Sequence, residues 1–151
     1  MLVFRVANQK YKDSTLSGIG AEKVGGRWNA KGTRAVYCSE NIALALLEYY
    51  IHSKDIGILP KEILVAKIQI PKNFTIKEID KLPNEWNAYP YTSSTTSIFS
   101  DFALSSEFFA LKVPSAIVSI EYNYILNPLY KNFGRVKVVD FLCLAIDDRL
   151  F

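Results

Sequence analysis

The chain has 151 residues and a formal net charge of +3, with 50% hydrophobic and 22% charged residues. Length and composition fit one globular domain with a sizeable core and exclude a disordered tail. The basic excess is small and spread without a run, so it gives no clustered surface for nucleic acid.

Two cysteines, Cys38 and Cys143, lack the spacing of a zinc site or a disulfide framework; both read as buried small hydrophobes in a reducing cytoplasm. No metal site is expected. The start, Met1-Leu2-Val3-Phe4-Arg5-Val6, lacks a signal peptide's basic lead and apolar run. No stretch has the roughly 18 apolar residues that a membrane helix needs. A soluble, cytoplasmic protein is expected.

In chain order, Leu2 to Ala7 reads as a strand with Arg5 inside it. Asn8 to Gly26 reads as a long polar loop, a length that in compact domains often serves function. It ends in Gly25-Gly26-Arg27-Trp28-Asn29. Glycine lets another group approach the backbone, and arginine's planar fork suits phosphate or carboxylate. Trp28 and Asn29 add a flat face and an amide. The same five residues also fit a tight turn followed by a solvated arginine.

Ala35 to Ser39 reads as a short strand containing Tyr37. Ser39-Glu40-Asn41 offers a helix start, and Ile42 to about Ser53 a buried helix, apolar on all sides from Ile42 to Leu47. Glu48 follows that run. A carboxylate there must find a partner or reach solvent, and catalytic carboxylates are often seated this way. His52, the lone histidine, stands four residues on and can share its face; no role is assigned to it.

Glu62 to Ile70 reads as a strand and Phe74 to Ile79 as another. Pro83 to Tyr91 is turn-rich. A helix is expected from about Ile98 to Leu111, and strand character from Val113 to Ile120. There Ser115 reads as a turn serine or a ligand contact. Arg135 to Ile146 supplies a last strand or two. The expected fold is one α+β domain over 1–151, with a bent, mostly antiparallel sheet and flanking helices.

These residues, taken in order, resemble the RES domain family, named for its Arg, Glu and Ser. The resemblance spans nearly the whole chain. It runs through Phe4-Arg5-Val6, Gly18-Ile19-Gly20-Ala21, Gly25-Gly26-Arg27-Trp28-Asn29 with Gly32, Tyr37 and Glu48. It continues through Val113-Pro114-Ser115-Ala116 and Asn127-Pro128 to Asp147-Asp148-Arg149-Leu150. Tyr130 departs from it, since many relatives carry histidine there.

The resemblance implies an ADP-ribosyltransferase-like fold and the toxin of a RES–Xre toxin–antitoxin module, acting on NAD as substrate with no further cofactor. It implies that Arg27, Tyr37, Glu48 and Ser115 line the NAD site. Arg27 would hold the pyrophosphate, with Arg5 as a second phosphate contact or a structural ion pair. Tyr37 and Trp28 would stack on nicotinamide or ribose beside Asn29. Glu48 would stabilise the oxocarbenium-like cation or bond the ribose hydroxyls, and orient the nucleophile if water attacks; Ser115 would position substrate. The implied reaction is cleavage of the nicotinamide–ribose bond by water or phosphate; ADP-ribosylation of a protein is the alternative. The implied partner is an Xre-type antitoxin covering the site. Outside the family reading, a ribonuclease toxin and a non-catalytic nucleotide-binding module stay open.

Overall fold

A computed structural model describes residues 1–54, 62–145, 147 and 149. Among these residues seven strands form one sheet: β1 (Leu2–Ala7), β2 (Val36–Ser39), β3 (Glu62–Gln69), β4 (Ile76–Glu78), β5 (Ala110–Pro114), β6 (Tyr122–Leu126) and β7 (Lys137–Ala145). Their order is β4-β5-β6-β2-β1-β3-β7. Every pairing is antiparallel except β4 with β5. Three helices accompany the sheet: α1 (Ile19–Val24), α2 (Ile42–Lys54) and α3 (Ser93–Ser105). This is the α+β architecture expected.

Side chains alternate across a strand, and the core follows that alternation. Val36 and Cys38 of β2 join Val3, Ala7, Tyr124 and Leu126 in one buried cluster. Tyr37 packs on a second cluster with Trp28, Phe99, Leu111, Val113 and Ile125. The sheet is thus covered on both faces. Helix α2 packs on β1 and β2, which sets its residues beside the ends of the central strands.

Several expectations need correction. The stretch from Asn8 to Gly26 is not a plain loop: it carries a 3₁₀ segment, Gln9–Ser14, and α1. Helix α2 buries Leu44 and Ala45 but exposes Ala43, Leu47 and Ile51, so it is a surface helix with one buried face. Asn41, not Ser39, caps its start, accepting from the Leu44 amide at 2.8 Å. Helix α3 begins and ends earlier than expected; Phe109 and Ala110 lie beyond it, and Ala110 opens β5. Strand character stops at Pro114, and β6 follows after a turn. Cys143 is exposed. Residues 148 and 150 of the closing Asp-Asp-Arg-Leu stretch lie outside the described residues, as does 146 of the expected last strand.

Candidate active site

The glycine loop is stapled to the sheet by its own side chains. Gly25, at φ +75°, closes α1 by donating from its amide to the Ala21 carbonyl at 2.8 Å. The Gly26 amide then donates to the Asn29 carbonyl at 2.9 Å. Asn29 is fully buried. Its Nδ2 donates to the Ala21 and Thr33 carbonyls at 2.9 Å and to the Ala30 carbonyl at 3.2 Å.

Tyr37 rises from β2 beneath this loop. Its hydroxyl donates to Asn29 Oδ1 at 2.7 Å and accepts from the Trp28 amide at 3.1 Å. Burial raises the phenol's pKa well above its usual value, despite those bonds, and keeps it protonated. Trp28, only 3% exposed, stacks its ring on Trp86 with centroids 6.1 Å apart.

Arg27 lines a cavity of about 230 Å³ together with Glu48, Ile51, His52, Tyr89, Ala116 and Ile117. Its Nη1 donates to the Trp86 and Ala88 carbonyls, both at 2.8 Å, and its guanidinium stands 5.8 Å from the Tyr91 ring centre. Partial burial lowers its pKa, and the neighbouring Glu48 opposes that shift. Arginine stays cationic across such shifts.

Glu48 is held by one residue just after β5 and one in β6. Ser115 Oγ donates to its Oε1 at 2.8 Å, and Asn123 Nδ2 donates to the same atom at 2.6 Å. Ser115 Oγ in turn accepts from the amides of Ile117 and Val118 at 3.0 and 3.1 Å. The other carboxylate oxygen, Oε2, lies 3.8 Å from His52 Nε2, one helical turn on.

The structure therefore brings Arg27 and Glu48 to one cavity, sets Ser115 against Glu48, and leaves the other candidates outside the cavity lining. Ser115 is fully buried, and its hydroxyl serves Glu48 rather than the open space. Tyr37, Trp28 and Asn29 are not among the cavity-lining residues; they shape the loop that carries Arg27. Arg5 lies apart. Phe4 is paired with Ser39, so Arg5 shares its sheet face with Cys38, opposite the Tyr37 side chain. Its Nη1 donates to the Tyr37 carbonyl at 2.9 Å, while its buried Nε finds no partner among the described residues.

Sequence reasoning missed Asn123, the Trp86 and Ala88 carbonyls, and Tyr89. A polar residue between two tyrosines, in a stretch that alternates toward Ile125 and Leu126, was the one available signal for Asn123. A larger hollow of about 440 Å³ lies beside α3 and β4, lined by Lys77, Asp101, Phe102 and Phe108 among others. It contains neither Arg27 nor Glu48. The smaller cavity, where a cation and a tethered carboxylate meet, is the better seat for chemistry.

Comparison with known proteins agrees on one family. The family model described as "RES domain" matches residues 2–147. A protein named "Toxin Res" from Photorhabdus laumondii is 41% identical over 99% of this chain and 97% of its own length. Another "Toxin Res", from Yersinia enterocolitica, is 35% identical over 99% of both chains. A Sphingobium protein named "Prs ADP-ribosylating toxin" is 34% identical over 84% of this chain and 81% of its own.

Proposed function

The chain belongs to the RES domain family, whose fold is ADP-ribosyltransferase-like, and on that premise we propose that it is a toxin that cleaves the nicotinamide–ribose bond of NAD. The observation that carries this reading is Glu48: one carboxylate oxygen is anchored by Ser115 and Asn123, and the residue lines a cavity shared with Arg27.

Such cleavage passes through an oxocarbenium-like cation, as glycoside cleavage does. Nicotinamide leaves as a neutral base, taking the electron pair of the broken bond. The Glu48 carboxylate stabilises the cation and orients the attacking water. Water adds to the anomeric carbon and gives up its proton, yielding ADP-ribose. Arg27 binds the pyrophosphate through Nε and Nη2, the donors outside its two loop bonds. A volume of about 230 Å³ is below the usual range for a whole drug-sized ligand. It suits the nicotinamide end of the dinucleotide, with the remainder lying on the surface.

Purified protein, free of any partner, is expected to release nicotinamide from NAD. No release, from folded protein under conditions where a family member releases it, would rule the reading out. A second reading, transfer of ADP-ribose to a protein, is favoured by the Sphingobium relative's name. NAD labelled on its adenylate half separates the two: label stays small and soluble in hydrolysis and enters protein in transfer.

An enzyme of this kind needs restraint in its own cytoplasm. The proposed partner is an Xre-type antitoxin that covers the cavity. A small helix-turn-helix protein encoded beside this chain, and blocking nicotinamide release when added, is the expected finding. Among the described residues no helix is long and apolar enough to cross a membrane.

A further inference from the structure

Glu48 sits on a helix, yet the groups that fix it stand on the sheet. Asn123 lies directly opposite Ser39 across the β2–β6 pair. The Ser39 hydroxyl, in a residue 4% exposed, donates to Asn123 Oδ1 at 2.6 Å. A carboxylate only accepts, so Glu48 takes the Nδ2 end of the amide, which donates to Oε1 at 2.6 Å. The Ser39 hydroxyl, able to donate or accept, then holds the amide by its other end. Ser115 approaches the same oxygen, with its own hydroxyl oriented by two backbone amides.

Both fixed donors therefore fall on Oε1. Among the described residues, His52 Nε2 lies 3.8 Å from Oε2, on a side chain that is 67% exposed. A carboxylate pinned through one oxygen has lost the side-chain rotations that would let it swing to solvent. Its second oxygen is then presented in one direction, a geometry of the kind that preorganised sites use.

We propose that Asn123, held in place by Ser39, is a positioning residue for Glu48, and that Oε2 is the oxygen that meets the substrate. This inference rests on the reading of Glu48 as the carboxylate that serves NAD cleavage. Asn123 itself does not line the cavity. It acts through Glu48, as outer groups orient the ligands of a metal centre, where their loss typically costs ten- to a hundredfold.

The test compares wild type with Asn123→Asp, Ser39→Ala and Ser39→Thr by steady-state nicotinamide release from pH 5 to 9, with folding checked by circular dichroism. In Asn123→Asp the donor becomes a second carboxylate against Oε1. Two carboxylates sharing a site resist ionising together. The expected result is a fall in kcat of about ten- to a hundredfold, KM for NAD within about twofold, and an acidic limb moved upward by about one pH unit. A role in packing alone would lower the amount of folded protein and leave the limb in place.

Should Asn123→Asp fail to fold, the serine pair decides. Ser39→Ala removes the bond that holds the far end of the amide and leaves it looser against Glu48, so kcat should fall several-fold at unchanged KM. Ser39→Thr, which keeps the hydroxyl, should restore it. An unmoved acidic limb in folded Asn123→Asp, or wild-type kcat in Ser39→Ala, would overturn the inference while leaving NAD cleavage standing. Absence of nicotinamide release by wild type would overturn both.

Discussion

The Tyr37 hydroxyl occupies the space a side chain on Gly26 would need: a Cβ built there would stand 2.7 Å from it and 3.0 Å from Asn29 Oδ1. Gly26 is thus required for the close approach of the loop to Tyr37. Gly26→Ala should force the hydroxyl off Asn29 and the Trp28 amide. Overpacking of this kind costs about 1–3 kcal/mol. Urea unfolding should show that loss together with weakened NAD turnover; wild-type stability in the variant would mean that the loop yields freely.

Arg27→Lys tests the fork. A lysine keeps the charge, but its single ammonium cannot hold the Trp86 and Ala88 carbonyls and also grip a pyrophosphate. A lost charge-assisted bond of about 1.5–3 kcal/mol corresponds to roughly a ten- to hundredfold rise in KM for NAD. KM within twofold of wild type would remove Arg27 from substrate binding.

Glu48→Gln keeps shape and an acceptor oxygen for Ser115 and Asn123 while removing charge. Nicotinamide release should fall by at least about a hundredfold, with the thermal midpoint nearly unchanged. A fully active variant would remove the carboxylate from the mechanism.

Alkaline pH should unfold the protein through Cys38. Burial pushes its thiol pKa from 9.0 up to about 12, with Arg5 opposing the rise. A pKa raised by folding means that the neutral thiol is favoured inside. Its contribution is complete below pH 9.0 and declines as pH climbs toward 12. The expected slope approaches about 1.4 kcal/mol per pH unit in that window. The buried Tyr37 phenol adds a loss of the same sign above its usual range. Urea midpoints at pH 8 and 11 for wild type and Cys38→Ala should converge at the higher pH relative to the lower; parallel loss would acquit the thiol.

Where local pattern and tertiary setting agreed, the sequence was readable. Strand β1 lies at Leu2–Ala7 as expected, and α2 runs one residue past the expected Ser53. Where a polar run carried the structure, it was not. The helix was expected to open at about Ile98, yet α3 begins at Ser93, and Thr95, Thr96 and Ser97 each donate to the carbonyl three residues earlier. Strand β6 was hidden by the turn before it, and Asn123 with it. Arg27 and Glu48 were visible as residue types out of place beside glycines and on an apolar helix. That Ser115 would serve Glu48 follows from a hydrogen bond across 67 residues, a relation no local window contains.

Strand β6 lies between β2 and β5 in the interior of the sheet. It is also the next-to-last strand to be made, and it carries the amide that holds Glu48 from 75 residues away. Contacts of such separation form only after the intervening chain exists. Arg27 and Glu48 both lie in the first third of the chain, but the amide that holds Glu48 arrives only with β6. A growing chain, or a product cut short before Tyr122, therefore lacks both the strand that joins β2 to β5 and the bond that fixes the Glu48 carboxylate.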